Sequence, residues 1–378
     1  MNETIPGRGE SEAIGSGEKR FESLLSLARQ IADTVIAPRA TETDRSDEVP
    51  LDNVRQLAEA GLLGLSTPER YGGHGAPGPT LRAYTETLAA ACGTTTFVQG
   101  QHLSACSLIA GAENEDLKRE VLPPFANGSR ICGVAFSHLR RPGPPMVTVE
   151  SDGDYYIFNG SAPWFTGWEV MTDTVLGGTL PDGRFLYVVT PLDAEGITAS
   201  PPMQLCAMNA SGTVILHLNS LRVSASAAMK TITREQMSAN DLGAILGVTP
   251  QIFGVSRAAI NIVKSLAESR NSDIMRRTVE TLESEMSARR ELVDKWRDRM
   301  DAEGYKGCAL DARAGCIEFG VRAAHAAVAA TGGGANALDN PAQRLFREAM
   351  FYTLTAQTRD VQTTTLEHII ESSRASLL

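Results

Sequence analysis

Histidine and cysteine side chains ligate transition metals and often act as bases or nucleophiles, and this sequence has six of each. No two cysteines form a CxxC pair, and the histidines show no metal-ligand spacing on one face of a predicted helix. We therefore predict no metal site, structural histidines, and buried thiols in a reducing, cytoplasmic compartment. The residues are His74, His102, His138, His217, His325 and His368, and Cys92, Cys106, Cys132, Cys206, Cys308 and Cys316.

Short motifs typical of common catalytic sites are absent from the sequence. It contains no P-loop, no HExxH and no GxSxG. The Gly332-Gly333-Gly334 run follows a helical pattern rather than a strand, which excludes a dinucleotide-binding turn of the Rossmann type. The residues alone therefore indicate no self-evident catalytic motif.

The composition sets limits on the partners of the chain. Its 378 residues carry a formal net charge of −10, and the length predicts two or three domains. The acidic balance argues against nucleic acid or an anionic membrane as a partner, because both require a basic face. No run approaches the roughly 20 apolar residues of a membrane span. Residues 1–20 lack the apolar core of a secretory signal, and we predict that they form a disordered lead-in.

The hydrophobic pattern changes twice along the chain and predicts an α+β multidomain architecture. Apolar residues first recur at helical spacing, and Pro38 is expected to end the first helix. Alternating segments around Asp152-Gly153 and Pro181-Asp182-Gly183 then predict two hairpins of a β-barrel or sandwich. We predict a helical domain over 21–128, a β domain over 129–229 and a four-helix bundle over 230–378.

A long apolar helix is predicted over 241–270, with Pro250 causing a kink or a broken first turn. Its residues are apolar nearly all round, so we expect that one subunit alone cannot cover it. This pattern predicts at least a homodimer.

Four segments carry a resemblance that goes further. They are GLLGLSTPERYGGHG (61–75), NGSAPWFTG (159–167), MNASGTVILHLNSLRV (208–223) and GGGANALDNPAQRLFREAMFYTL (332–354). In type and order they resemble the signatures of the acyl-CoA dehydrogenase superfamily of FAD flavoproteins. The resemblance implies that superfamily's α-β-α fold, with the flavin between the β domain and the C-terminal helices. It also implies a dimer or tetramer.

The resemblance implies positions for FAD. Trp164 and Thr166 would flank the flavin ring, with the Thr166 hydroxyl donating toward N5, and Phe136 and Ser137 would line the pyrimidine side. The alternative for Trp164 and Phe136 is a plain core position. Two further residues match family positions near the cofactor: Arg270, which would reach the pyrophosphate in a neighbouring subunit or be a solvated helix end, and Thr358, near the flavin.

The usual catalytic base is missing from this pattern. The family's glutamate position holds Ala356, and a second family position for the base corresponds to Gly243 or Ala244. Removing a proton from the α-carbon of an acyl thioester requires a general base. Asp360, one turn further on, is a weak candidate. We expect an acid placed at 356 to be partly buried, which would raise its pKa.

Other family positions are altered as well. The phosphate and substrate turn has become HLRRPGPP, which adds Arg140 and Arg141. These arginines are candidates for a pantetheine or nucleotide phosphate, and a solvated arginine pair is the alternative. The Arg-x-x-Phe-Gly sequence has become RNSDI from Arg270, and Ala329 replaces a glutamine.

These observations favour an FAD-dependent oxidoreductase acting on an acyl thioester, bound to CoA or to a carrier protein, in specialised metabolism. Its electron partner would be an electron-transfer flavoprotein or a flavin reductase. One alternative is a flavin-dependent monooxygenase of the same fold, which needs no α-proton base. The other is a base-less, non-catalytic partner subunit.

Overall fold

The computed structural model describes the backbone of residues 8–375 and the side chains of residues 17–371. Residues 1–7 of the predicted disordered lead-in lie outside this range, and residues 8–20 are helical rather than disordered. Within the described residues, no helix is both long enough and apolar enough to cross a membrane.

Six helices form the N-terminal part. Their ends are defined by local capping: the Cys92 sulfur accepts from the Thr95 N–H at the start of α5, and the Asn114 side chain accepts from the Leu117 N–H at the start of α6. The helices are α1 (Arg8–Ile31), α2 (Ala37–Arg45), α3 (Leu51–Glu59), α4 (Gly78–Ala91), α5 (Gly93–Ala110) and α6 (Glu115–Ala126).

Pro38 does not end the first helix, contrary to the expectation from sequence. A π-helical turn over Ala32–Ile36 joins α1 to α2, and Pro38 lies in the first turn of α2. A proline is tolerated there because the first N–H groups of a helix have no intrahelical acceptor.

The middle part is one mainly antiparallel sheet, in the strand order β6-β7-β3-β2-β4-β5-β8, with β1 parallel to β4. Both predicted hairpins are present, β2–β3 and β4–β5. The strands are β1 (Cys132–Ala135), β2 (Val147–Asp152), β3 (Tyr155–Phe165), β4 (Asp173–Thr179), β5 (Phe185–Pro191), β6 (Ile197–Ala199), β7 (Val214–Ser224) and β8 (Ala228–Ile232).

The C-terminal part is helical, and α8 to α11 pack on one another with α12 against α10. The predicted 241–270 helix is broken at residues 244–248, and Pro250 starts the second segment. The helices are α7 (Arg234–Gly243), α8 (Thr249–Ser269), α9 (Asp273–Arg297), α10 (Tyr305–Thr331), α11 (Pro341–Leu354) and α12 (Arg359–Ala375).

The prediction that one subunit alone cannot cover the long apolar helix is wrong. Helix α8 packs against α4, α9, α10 and α11 of its own chain, which cover its apolar face. Exposed apolar residues lie instead along α11 and α12. They are Phe346, Met350 and Leu354 on α11, and Leu366, Ile369 and Ile370 on α12.

A buried ion pair joins the two helical parts. Arg344 and Glu348 of α11 are 2.6 Å apart, and the Gly93 N–H at the start of α5 donates to Glu348 Oε1 at 3.2 Å. Gly93 permits this close approach, since a Cβ there would meet Met208 at 2.6 Å and Glu348 at 2.7 Å. The contact fixes α5, α11 and the segment before β7 relative to one another.

Candidate functional site

The end of β3 carries a bulge that turns Trp164 outward. Between Ala162 and Phe165 the pairing with β7 shifts register, since three steps on β3 match two on β7. Trp164 adopts a positive φ of 64°, which is rare for a bulky residue, and its side chain is 50% exposed. A strained backbone that exposes an indole indicates a binding surface rather than a core position. The core alternative for Trp164 is therefore wrong.

Thr166 follows the bulge and belongs to a chain of three buried hydroxyls. Thr213 Oγ1 lies 3.0 Å from Thr166 Oγ1 and 2.8 Å from Ser211 Oγ. Each hydroxyl has one proton, so if Ser211 donates to Thr213 and Thr213 donates to Thr166, the Thr166 proton is free to donate elsewhere. The arrangement is compatible with a donor at Thr166, although the side chain itself is buried.

The turn after β1 lies beside the same strand end. Ser137 is exposed, and its Oγ donates to the Pro163 carbonyl at 3.3 Å, one residue before Trp164. Phe136 is half-buried and packs edge-on against Tyr187, with ring centroids 5.5 Å apart. The structure therefore brings Ser137, Trp164 and Thr166 to one edge of the sheet, while Phe136 packs mainly against β5.

His138 in this turn has a feature that sequence reasoning missed. Its ring is 3% exposed; Nε2 lies 3.1 Å from the Gly177 carbonyl, and Nδ1 has no hydrogen-bond partner among the described residues. Burial lowers the pKa of His138 to about 4, so the imidazole is neutral at pH 7. Neutral His138 therefore holds the turn under Ser137 through its Nε2–H.

The turn between α11 and α12 holds the position where the resemblance implies a base. Ala356 is exposed and has a positive φ of 47°. Beneath it, Arg313 of α10 is 1% exposed and donates to the carbonyls of Thr355 at 2.6 Å and Ala356 at 3.3 Å. An acid at 356 would therefore lie beside a buried cation in an exposed turn. The expected burial and raised pKa are wrong for this position, because both features favour the ionised acid.

Arg313 also holds the break between α7 and α8. Its Nη1 donates to the Ile245 carbonyl at 3.0 Å, next to the exposed Gly243 and Ala244. No carboxylate pairs with Arg313 within the described residues, and its Nε has no partner there. Burial lowers the pKa of Arg313 to about 10, so it stays charged at pH 7. One guanidinium thus underlies both locations where the family places a base.

The remaining candidates on α12 are engaged in local contacts. Asp360, the weak candidate for a base, is exposed and forms an ion pair with Lys306 at 2.7 Å. Thr358 caps α12, because its Oγ1 accepts from the Val361 N–H at 3.3 Å. Both side chains are therefore engaged by residues of α10 and α12.

The arginine candidates are separated in the fold. Arg140 forms a bidentate pair with Asp241 of α7 at 2.7 and 2.8 Å, whereas Arg141 is exposed and contacts the Met146 sulfur at 3.8 Å. Arg270, at the end of α8, donates to the Ala330 carbonyl at 2.7 Å. Since α8 has 21 residues, Arg270 lies about 30 Å from the helix start near Arg313.

The residues at this edge of the sheet have the chemistry to contact a flavin ring. Within one chain, the described residues named here do not account for binding of the rest of FAD. The exposed indole of Trp164, the Ser137 hydroxyl and the Thr166 hydroxyl supply a stacking face and polar groups together. Arg270 is exposed, and its Nη1 donates to the Ala330 carbonyl. Among the described residues, no group of three or more histidine, cysteine or acidic side chains is placed to hold a metal ion.

Comparison with known sequences gives a family match. A model described as "Acyl-CoA dehydrogenase, N-terminal domain" matches residues 19–129. The chain is also 23% identical over 366 residues to a Bacillus subtilis protein named "Probable acyl-CoA dehydrogenase YngJ", covering 91% of this chain and 96% of the relative.

Comparison with solved structures agrees on the fold. Butyryl-CoA dehydrogenase from Megasphaera elsdenii superposes with a TM-score of 0.80 at 18% identity, covering 98% of this chain and 100% of the other. Dibenzothiophene monooxygenase from Paenibacillus sp. A11-2 superposes with a TM-score of 0.79 at 15% identity, covering 93% and 97%. The α-β-α architecture expected from sequence is confirmed.

Acid is expected to destabilise the fold through its buried histidines. The pKa values of His138 and His102 are both lowered to about 4 by burial, against about 6.5 in the unfolded chain. Between these values the unfolded state binds more protons, so the unfolding free energy falls as the pH drops, by up to about 1.4 kcal/mol per pH unit for each histidine. Urea unfolding at pH 7.5, 6 and 5 measures the slope.

His138→Gln should reduce this slope relative to the wild type, and His217→Gln, at an exposed position, serves as the matched control. A wild-type stability that is constant from pH 7.5 to 5, or a slope unaltered in His138→Gln, would contradict the assignment.

Proposed function

We propose that this chain, which belongs to the acyl-CoA dehydrogenase superfamily, is an FAD-dependent oxidoreductase acting on an acyl thioester of CoA or of a carrier protein. The observation that supports it most is the bulge at the end of β3, which exposes Trp164 beside Ser137 and Thr166. A tryptophan with a positive φ does not stabilise a strand whose role is only structural, whereas its exposed indole can stack on a flat aromatic cofactor.

Different residues would contact different parts of such a cofactor. Trp164 would cover the ring, and Ser137 and Thr166 would supply polar contacts along its edge. Thr213 and Ser211 would orient the Thr166 hydroxyl so that it donates outward. Arg270 would bind the pyrophosphate of a neighbouring subunit's cofactor. When bound, FAD supplies a two-electron acceptor for hydride.

The missing base shapes the reaction that we propose. Ala356, Gly243 and Ala244 cannot accept a proton, and Asp360 is paired with Lys306. Arg313 places positive charge beneath this region. Such a site is poorly suited to remove an α-proton from an ordinary saturated acyl thioester, and it suits an acyl group that is already activated or that carries negative charge. A specialised substrate is therefore favoured over routine fatty acid oxidation.

A flavin-dependent monooxygenase is the second candidate. It is favoured by the combination of a candidate flavin-binding edge with no carboxylate at either of the two locations where the resemblance implies a base. One of the solved structures that share this fold is a dibenzothiophene monooxygenase, which supports this candidate. The electron partner would be a flavin reductase in this case, and an electron-transfer flavoprotein in the case of a dehydrogenase. Arg140, paired with Asp241, and the exposed Arg141 would contact phosphate of the carrier group in either case.

Purified protein should contain FAD with a visible flavin absorption band. Thr166→Val removes the hydroxyl while keeping the shape, so it should shift the flavin reduction potential or lower FAD retention several-fold without unfolding the protein. Thr148→Val, an exposed threonine of the same sheet, is the matched control and should match the wild type.

Protein that binds no FAD would overturn the proposed function, and an unchanged spectrum, retention and potential in Thr166→Val would remove the β3 bulge from the site. Oxygen uptake that depends on NAD(P)H or a reductase would favour the monooxygenase. Bound FAD with no turnover of any thioester would favour the base-less partner subunit.

We also propose that the chain forms a dimer or tetramer through α11 and α12. Their exposed apolar side chains recur at helical spacing, at 346, 350 and 354 on α11 and at 366 and 370 on α12. Each of these side chains exposes at least a third of its surface, so each helix carries an apolar stripe, and both helices pack against α10.

Light scattering at micromolar concentration should give a mass of at least two chains. Leu366→Glu places a charge in the stripe and should shift the mass toward that of the monomer, whereas Ile274→Glu, equally exposed but on α9, should not. A monomeric wild type would contradict the proposal.

A further inference from the structure

A cleft between α4, α8 and α9 lies apart from every residue considered above for the flavin or the acyl substrate. Its volume is about 200 Å³, which suits a small anionic group rather than a whole nucleotide. The residues that matter in its wall are Arg82, Glu86, Thr249, Arg290 and Arg297.

The charges in this cleft do not balance. Glu86 is bound by Arg290 through two hydrogen bonds of 2.8 and 3.0 Å, and Arg257 lies 3.6 Å from the same carboxylate. Arg82 has no hydrogen bond or ion pair with any described residue. The carboxylate of Asp294 is 4.0 Å from Arg297 and mainly exposed to solvent. Positive charge is therefore left over on the side of Arg82 and Arg297.

Arg297 is only partly satisfied. Its side chain is 16% exposed, and Nη2 donates to Thr249 Oγ1 at 2.8 Å and to the Leu246 carbonyl at 3.3 Å. Its Nε is buried and donates no hydrogen bond to any described residue, and its ion-pair partner, the Asp294 carboxylate, is 4.0 Å away. Burial, followed by the nearby charge of Arg82, lowers the pKa of Arg297, whereas Asp294 and Asp298 act in the opposite direction. Two guanidinium groups thus repel each other across a cleft that leaves a buried donor unpaired.

Two helix starts add to the positive potential. Thr249 and Pro250 form the first turn of α8, and Pro79 belongs to the first turn of α4. The Arg82 guanidinium folds back over that turn, with Nη1 2.9 Å from where a Cβ on Gly78 would lie. Helix N-termini disfavour cations and favour anions, so the positive charge of Arg82 lies in an unfavourable potential that a bound anion would neutralise.

We propose that this cleft binds a phosphate group between Arg82 and Arg297. The planar forks of two arginines match the oxygens of a phosphate, which would pair the orphan Nε and neutralise the repulsion. The group is either free inorganic phosphate or the terminal phosphate monoester of a larger ligand that extends into solvent. The site is independent of the proposed function, since none of its residues belongs to the flavin or thioester positions.

Isothermal titration of the purified protein with inorganic phosphate tests this proposal, with chloride used to hold the ionic strength constant. The wild type should bind one phosphate per chain with saturable heat, and Arg82→Gln should weaken binding at least about tenfold. Arg277→Gln is the control, because Arg277, like Arg82, is a helical arginine that forms no ion pair within the described residues, but it is exposed and lies outside the cleft. This variant should bind phosphate as the wild type does.

Arg297→Lys keeps the charge but loses the fork, and should weaken binding while circular dichroism remains that of the folded protein. A parallel titration with adenosine 3′,5′-bisphosphate identifies the source: tighter binding than inorganic phosphate assigns the site to a phosphate monoester, and weaker binding assigns it to the free ion. Absence of saturable binding of either probe, or equal binding by the wild type and Arg82→Gln, would overturn the proposal.

Discussion

The buried guanidinium of Arg313 is the constraint on which the candidate site depends. Arg313 belongs to α10 and donates to backbone carbonyls in two separate connections between helices, the α7–α8 junction and the α11–α12 turn. Among the described residues no carboxylate pairs with Arg313, and backbone carbonyls accept its hydrogen bonds. The two turns are therefore held in place by the cost of leaving this charge unsatisfied. The positive φ of Ala356 is maintained by the same contact.

This arrangement explains why the site differs from a proton-abstracting one. A carboxylate in either turn would lie close to Arg313, which would keep it ionised and lower its basicity. The chain instead has alanine and glycine there, and Asp360, four residues after Ala356, is paired with Lys306. In the proposed function, the β3 bulge and the Ser211–Thr213–Thr166 hydroxyl chain would form the surface that binds a planar ring. We infer a site that can bind its cofactor beside the β3 bulge and that has positive charge, from Arg313, where a general base would be expected.

The sequence predicts the order of domains well because hydrophobic periodicity is local and changes sharply near residues 129 and 230. It also identifies Trp164, Thr166 and Ser137, which the fold places at one edge. The partners of Arg140 and Arg313 could not be predicted, because Asp241 and the two turns are distant in sequence. One signal was available: Arg313 stands in an apolar stretch, ALDARAGCIEFG, where an arginine needs partners from elsewhere. The bulge at 163–165 depends on strand register, which no short pattern specifies.

We infer that this chain has no effective base for α-proton removal, and rapid anaerobic mixing of the FAD-bound protein with a saturated acyl-CoA measures whether one is present. Bleaching of the flavin absorption reports hydride transfer. We expect slow bleaching in the wild type and in Ala356→Gln, and acceleration of less than about tenfold in Ala356→Glu, because Arg313 would lower the basicity of a carboxylate at that turn. Rapid bleaching in the wild type, matched by Ala356→Gln, would contradict the account, because another residue would then be acting as the base.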